Sequence, residues 1–194
     1  MVLQPSRQAL RARPIASPRA FVAPLDGLDG SELWEAVDGS RANLQRYLPW
    51  VPFQTDVDSS LRFAEACAAD WDSGRAFRFG LRERGSNRFL GVVGLENVNP
   101  LHRKADLGYW LRDDATGRGF MTEGAAVCIE WGLRVLELHR LRVAAATDNH
   151  RSLAVIARLG FRFEGIAREV EWCDGRWLDH ATFGLLETEW QAPW

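Results

Sequence analysis

The chain has 194 residues, of which 46% are hydrophobic and 26% are charged. This balance is typical of a folded globular domain and excludes a largely disordered chain. The formal net charge of -2 offers no basic field for a phosphate backbone, so we expect no direct contact with nucleic acid. No apolar run approaches the roughly 20 residues that cross a bilayer, and we therefore expect a cytoplasmic protein without membrane contact.

Cysteine usage is sparse. Cys67, Cys128 and Cys173 are odd in number and lie far apart in the sequence. No pair of them has the spacing of a metal-binding or redox motif. We therefore expect free thiols and no bound metal.

The N-terminal 18 residues are predicted to form an irregular arm. Pro5, Pro14 and Pro18 interrupt any long helix in this segment. Residues 19–194 contain no internal repeat and no linker that would mark a second domain, so we expect one domain over this range.

The first half of that domain combines one strand with two helices. Residues 19–25 are predicted to form the strand, and a helix capped by Asp29 or Ser31 follows. The apolar segment 48–53 contains two prolines and is predicted to be a loop, and a second helix is expected over 61–71.

The middle of the chain is rich in β-forming residues. Strands are expected over 76–81, 89–98 and 105–112, and short polar turns separate them. Adjacent strands with tight turns predict an antiparallel meander.

Helices and strands alternate in the last part of the chain. After the loop 113–119, a helix, a strand at 141–146 and a second helix at 149–159 are expected. Two final strands flank Asp174-Gly175, a dipeptide suited to a two-residue hairpin turn. The element order predicts a mixed α/β fold.

The segment Gly117-Arg118-Gly119 has the composition of an anion-binding loop. Glycines allow backbone angles that turn successive N–H groups toward one concavity, and a helix start near Phe120 would point its free N–H groups at the same place. Thr122 would add a donor. Thr122 stands where a dinucleotide fingerprint has its third glycine, and the Gly-Lys-Ser/Thr of a nucleoside-triphosphate loop is absent. An ordinary turn remains the alternative.

Two sequence blocks resemble the GNAT acetyltransferases. The first comprises Gly108-Tyr109-Trp110-Leu111 and Gly117-Arg118-Gly119-Phe120-Met121-Thr122-Glu123, and the second comprises Asn149-His150-Arg151-Ser152 and Gly160-Phe161-Arg162-Phe163-Glu164-Gly165. The combination is similar to the branch that includes the ribosomal-protein alanine N-acetyltransferases. The resemblance implies a mostly antiparallel mixed sheet, splayed in the middle and flanked by helices, and suggests a homodimer. Asp114 departs from the family, which often has Gln or Arg at that place.

The resemblance also implies acetyl-CoA as the acetyl donor. Its pantetheine arm would lie in the wedge between strands 107–112 and 141–146, and a backbone N–H near Leu111 or Arg112 would hold the developing oxyanion. Asn149 would hold the arm through its amide, although a helix-capping role would suit it equally. The residues expected to bind the coenzyme are Leu111, Arg112, Gly117, Arg118, Gly119, Phe120, Met121, Thr122, Asn149 and Ser152.

Two catalytic residues follow from the same resemblance. Ser152 would protonate the departing thiolate, and Glu171 would act as the base through water. If Asp174-Gly175 forms the turn, Glu171 pairs with Leu178 and lies diagonal to His180 on one face. The alternatives are a first-turn serine with a local hydrogen bond, a strand carboxylate exposed to solvent and an ordinary surface histidine. Glu96 is a second candidate base.

The acceptor is expected to be a primary amine, either a protein N-terminus or a small molecule such as an aminoglycoside, an amino acid or a polyamine. It would attack acetyl-CoA directly in a ternary complex. Trp34 and Trp50, with Tyr47 and Phe53, are expected to wall its pocket, and Glu96 and His180 to contact it. Two other functions remain open, a catalytically silent acyl-CoA-binding module and a nucleotide-binding domain.

Overall fold

The computed structural model describes residues 6–193 as one open sheet flanked by helices. The strands are β1 (Ile15–Ala16), β2 (Ala20–Pro24), β3 (Phe77–Glu83), β4 (Phe89–Asn99), β5 (Lys104–Leu111), β6 (Arg140–Ala146), β7 (Arg162–Cys173) and β8 (Arg176–Leu186). The α-helices are α1 (Arg7–Ala12), α2 (Gly30–Asp38), α3 (Arg41–Leu44), α4 (Val57–Asp72), α5 (Phe120–Val135) and α6 (His150–Arg158). The strand order is β1-β2-β3-β4-β5-β6-β8-β7.

The sheet is antiparallel at every strand pair except β5–β6, which is parallel. The predicted meander is β3–β4–β5, and the predicted hairpin is β7–β8. Both the mixed α/β class and the mostly antiparallel sheet are confirmed.

The two strands at the centre of the sheet separate after a short parallel contact. Residues 104–106 of β5 pair with residues 140–142 of β6, and the pairing ends there. Residues 107–111 of β5 and 143–146 of β6 continue without pairing to each other, while β6 stays paired with β8 as far as Ala146. The expected splay in the middle of the sheet is therefore present.

Helix α5 lies close against one face of the sheet because two of its residues are glycines. A Cβ on Gly124 would come within 2.7 Å of Leu81, and a Cβ on Gly132 within 2.5 Å of Leu95. The larger hydrophobic cluster is built on this face, and a second cluster under α2 and α4 lies on the other. No helix within residues 6–193 has the length and apolar character needed to cross a membrane.

From residue 6 onward the N-terminal segment contains a helix and a strand, and the expectation of an irregular arm was wrong for this described part. Helix α1 fits between two of the prolines, and β1 adds a strand to the edge of the sheet beside β2. Arg7 binds Asp26 and Asp72, and Arg11 binds Asp29 at 2.7 Å. These partners lie far away in the sequence, so the local pattern gave no sign of them. Residues 1–5 lie outside the described range.

Asp29 anchors this segment to the sheet. Its carboxylate accepts hydrogen bonds from Arg11, from the backbone of Asp26 and from Arg82 at 2.8 Å. The side chains of Asp29 and Arg82 are only 3% and 11% exposed. Glu32 also binds Arg82, and Asp26 also binds Arg11. Removing Asp29 therefore costs each arginine one charge-assisted hydrogen bond and not all of its compensation.

We predict that Asp29→Ala lowers the free energy of unfolding by about 2 kcal/mol, because Arg82 and Arg11 each lose a charge-assisted hydrogen bond to a buried carboxylate. The measurement is urea unfolding followed by tryptophan fluorescence. Asp72→Ala is the matched control, since the Asp72 side chain is 61% exposed and its ion pair should contribute less than about 1 kcal/mol. Equal losses in the two variants would contradict this interpretation.

Candidate functional site

An open cleft of about 1300 Å³ lies where β5 and β6 separate. Its walls come from the end of β5, the loop 113–119, the starts of α5 and α6, and residues 43–48. Much of the sequence predicted to bind a coenzyme therefore meets in one place. The predicted residues that line it are Leu111, Gly117, Arg118, Gly119, Met121, Thr122, Asn149 and Ser152.

The loop before α5 forms a cradle of backbone N–H groups. Gly117 has φ 73° and Gly119 has φ 84°, a left-handed conformation that favours glycine. Gly119 is the N-cap of α5, and no side chain caps this helix start. The first-turn N–H groups of α5 thus lack side-chain acceptors, and the positive end of the helix dipole faces the cleft.

Thr122 lies in the first turn of α5, beside this cradle. It lines the cleft, and its Oγ1 is buried without a hydrogen-bond partner within the described residues. A buried hydroxyl without a partner costs free energy, which a ligand oxygen at the cradle would recover.

Positive charge surrounds the cradle. The guanidinium groups of Arg19 and Arg118 lie over the ring of Phe120, at 5.3 Å and 4.7 Å from its centroid. Phe120 itself is 2% exposed and belongs to the core, so only its backbone can serve a ligand. Five arginines line the cleft, namely Arg19, Arg46, Arg118, Arg151 and Arg158, and they outnumber its three acidic residues, Asp113, Glu123 and Asp148. The arrangement suits an anion with several phosphate groups.

Glu123 fixes Arg19 at the edge of the cradle. Its carboxylate accepts hydrogen bonds from Ser17 Oγ at 2.8 Å and from Arg19 Nε at 2.6 Å. Burial alone would raise the pKa of Glu123, but these hydrogen bonds outweigh it and lower the pKa. The carboxylate therefore stays charged and holds Arg19 in place.

The backbone of β5 distinguishes between the two predicted oxyanion donors. The N–H of Arg112 donates to the carbonyl of Leu90 at 2.8 Å, so it faces β4. Because successive strand residues direct their N–H groups to opposite sides, the N–H of Leu111 faces the cleft. The expected backbone role of Arg112 was wrong for this reason, and its side chain binds Asp114. Asp114 also pairs with Arg88.

The first turn of α6 presents Ser152 to the cleft. Asn149 Oδ1 accepts from Ser152 N at 3.2 Å, so Asn149 is the N-cap of this helix. The cap uses the amide oxygen, and the amide N–H₂ is the group left to donate to a ligand. Tyr109 Oη lies 2.9 Å from Ser152 Oγ, a contact that the sequence reasoning missed although Tyr109 belongs to the Gly108-Tyr109-Trp110-Leu111 motif.

The hairpin geometry predicted for β7–β8 is confirmed. Asp174 and Gly175 have φ 50° and 76°, as a two-residue turn requires, and Glu171 pairs with Leu178. Glu171 Oε2 lies 3.3 Å from His180 Nε2, so the two side chains share a face. His180 pairs with Ala146 at the end of β6. Glu171 and His180 therefore lie beside the place where β5 and β6 separate.

Glu96 is not brought to the cleft. Both of its carboxylate oxygens accept hydrogen bonds from Arg78, at 2.6 Å and 2.5 Å. Asp70 completes the cluster by binding the same guanidinium. Glu96 is thus part of an ion-pair network on the α4 side of the sheet, and its carboxylate is fully engaged.

Trp34 and Trp50 also lie apart from the described cleft lining. Trp50 stacks on Phe63 at 6.3 Å and packs on Trp110 at 6.0 Å, and Arg41 lies over the ring of Trp34. The aromatic residue Tyr47 and the apolar residue Leu48, which precede Trp50 in the sequence, do line the cleft.

Residues 22–162 match the family model described as the acetyltransferase (GNAT) domain. YdaF of Bacillus subtilis (strain 168) is 33% identical over 154 residues, which are 77% of this chain and 83% of that protein. The [Ribosomal protein uS5]-alanine N-acetyltransferase of Escherichia coli (strain K12) is 27% identical over 171 residues, 82% of this chain and 84% of that protein.

The fold is shared with a solved ribosomal L7/L12 α-N-protein acetyltransferase, RimL, which was determined in complex with coenzyme A. The TM-score is 0.84 at 22% identity, and the match covers 89% of this chain and 96% of that one.

We predict that Gly119→Ala weakens binding of inorganic pyrophosphate about tenfold. The alanine would be strained at φ 84°, and its Cβ would come within 2.9 Å of Arg19 Nη2. Isothermal titration calorimetry measures the affinity. Gly160→Ala is the matched control, because Gly160 has φ 77° at the far end of α6, away from the cradle. A similar loss of affinity in both variants would mean that strain alone, and not the cradle, is responsible.

Proposed function

Because the chain belongs to the GNAT acetyltransferase family, we propose that it transfers the acetyl group of acetyl-CoA to a primary amine by direct attack in a ternary complex. The observation that carries the proposal is the cradle of residues 117–122 at the mouth of the splay, with the unpartnered Thr122 Oγ1 inside it. We take residues 19–194 as one catalytic domain, since β2 to β8 form a single sheet.

The residues present fit coenzyme A. N–H groups of the cradle and of the first turn of α5 would hold the pyrophosphate, and Arg118 would add a charged contact. The pantetheine arm would lie along β5, whose residues 107–111 have no partner strand on the β6 side. Asn149 would bind the arm through its amide N–H₂. The coenzyme supplies the activated thioester, and the protein supplies its position.

The N–H of Leu111 is the proposed donor to the thioester carbonyl. It faces the cleft from a strand held by β4, so little reorganisation is needed as negative charge develops on the oxygen. A preorganised donor of this kind stabilises the tetrahedral species more than the ground state.

Ser152 is the proposed proton donor to the departing thiolate. It lies in the first turn of α6, where the positive end of the helix dipole favours developing negative charge on the sulfur. Its hydroxyl lines the cleft and is not consumed by capping, because Asn149 caps the helix.

Glu171 is the proposed base, acting through water and oriented by His180. The demand on it depends on the amine. An α-amino group with a pKa of about 7.8 is roughly a tenth neutral at pH 7, whereas a lysine amine at about 10.4 is less than a thousandth neutral. Glu171 is partly exposed and lies beside the cleft, outside its lining, and such a base suits the smaller demand of an α-amine acceptor.

The proposed acceptor is the N-terminus of a protein, by analogy with the relative named for ribosomal protein uS5 alanine. It would enter beside Tyr47 and Leu48, which line the cleft where Tyr47 packs against Cys173 and Leu178 of the hairpin. A small-molecule amine is the alternative. By the same analogy with the family, we propose that the protein is a cytoplasmic homodimer. We propose no contact with nucleic acid.

Purified protein, acetyl-CoA and a panel of peptides, amino acids, polyamines and aminoglycosides test the proposal. We expect release of free coenzyme A thiol, fastest with peptides that have a free N-terminus. Tight coenzyme binding, with no release of coenzyme A thiol in the presence of any amine tested, would identify a silent binding module instead. Preferential binding of ATP or NAD would favour a nucleotide-binding domain.

We predict that Glu171→Gln lowers kcat/KM for a peptide acceptor about 100-fold, the range expected for loss of a general base. Coenzyme affinity should not change, because Glu171 lies outside the cradle. The measurement is steady-state thiol release. The matched control is Glu169→Gln, an exposed carboxylate on the same strand, which should retain full activity. Equal activity of both variants and the unmodified enzyme would rule out Glu171 as the base.

A further inference from the structure

Tyr109 connects the two elements that the splay separates. It lies on β5 opposite Val93 of β4, in the part of β5 that has no partner strand on the β6 side. Its ring packs against the larger hydrophobic cluster, and its hydroxyl reaches Ser152 in the first turn of α6. The phenol therefore joins β5 to α6 at Ser152, the proposed proton donor.

Within residues 6–193, the hydroxyl of Tyr109 makes two hydrogen-bond contacts, both to Ser152. Oη lies 2.9 Å from Ser152 Oγ and 3.2 Å from the Ser152 carbonyl oxygen. A phenol has a single proton to donate, and it can also accept. When Tyr109 donates to Ser152 Oγ, the serine's own proton is free to point into the cleft.

The phenol remains a donor at neutral pH. Burial raises the pKa of Tyr109 to about 12, so the hydroxyl stays protonated where the enzyme works. Tyr109 is therefore suited to give a hydrogen bond and unsuited to act as a base.

We propose that Tyr109 is a positioning residue for the transfer step, which holds Ser152 Oγ and donates a hydrogen bond to it while the serine proton passes to sulfur. This inference rests on the proposed function. As the tetrahedral species collapses, the C–S bond breaks and its electron pair goes to sulfur. The hydroxyl proton of Ser152 then moves to sulfur, and negative charge develops on Oγ. The proton lost by the amine returns to Oγ through water, so that amine and thioester become amide and thiol.

The phenol acts on the transition state more than on binding. Charge on Ser152 Oγ exists only while the proton is in transit, and a hydrogen bond to a charged acceptor is stronger than one to a neutral hydroxyl. Loss of the Tyr109 hydroxyl should therefore lower kcat and leave the affinity for the coenzyme nearly unchanged.

The test is a double-mutant cycle of Tyr109→Phe and Ser152→Ala, with kcat, KM for acetyl-CoA, coenzyme affinity and melting temperature measured for each protein. We expect Tyr109→Phe to lower kcat about tenfold, with KM and coenzyme affinity within about twofold of the parent. In the Ser152→Ala background the same change should alter kcat by less than about twofold, because the group that it serves is absent. Ser86→Ala removes a hydroxyl from an exposed turn and should change none of these values.

Three results would overturn the inference. Full kcat in Tyr109→Phe would show that the hydroxyl is dispensable. Equal loss of kcat in both backgrounds, or a loss of coenzyme affinity and melting temperature that accounts for the effect, would show a role in packing. If the parent enzyme is active, these outcomes leave the proposed function intact, whereas a parent that acetylates no amine overturns both.

Discussion

The early end of pairing between β5 and β6 is the constraint on which the site depends. Only residues 104–106 and 140–142 pair, yet each strand is secured on its far side, β5 by β4 and β6 by β8. Neither strand can close the gap without giving up a complete set of hydrogen bonds. Backbone groups of residues 107–111 thus remain available at the cleft, where unpaired polar groups need water or a ligand.

Both helices that border the cleft begin at its mouth. Gly124 and Gly132 let α5 lie directly on the sheet, which fixes where its N-terminus points, and α6 follows immediately after β6. An excess of positive charge lies at the same place, where five arginines and three acidic residues line a cleft in a chain with a net charge of -2. Total charge argued against a large basic surface, but it carried no information about this local concentration, which arises from segments distant in sequence.

Features with a local cause could be predicted from the sequence. The β3–β5 meander, the Asp174-Gly175 turn and the Glu171–His180 neighbourhood follow from strand periodicity and turn chemistry. Long-range pairing explains what was missed. Helix α1 depends on acidic partners at Asp26, Asp29 and Asp72, and the Tyr109–Ser152 contact joins residues 43 positions apart. The side of the strand on which the Arg112 N–H lies depends on its register with β4, which no motif reveals.

The two candidate bases show why surroundings matter more than residue type. Both carboxylate oxygens of Glu96 accept charge-assisted hydrogen bonds from Arg78, in a network that also includes Asp70. Glu171 Oε2 lies 3.3 Å from His180 Nε2, and the Glu171 side chain is 32% exposed, so water can reach the carboxylate. Two glutamates of one sheet thus suit opposite tasks. Glu96 holds β4 to β3 through Arg78, whereas Glu171 is open to water beside the end of β6.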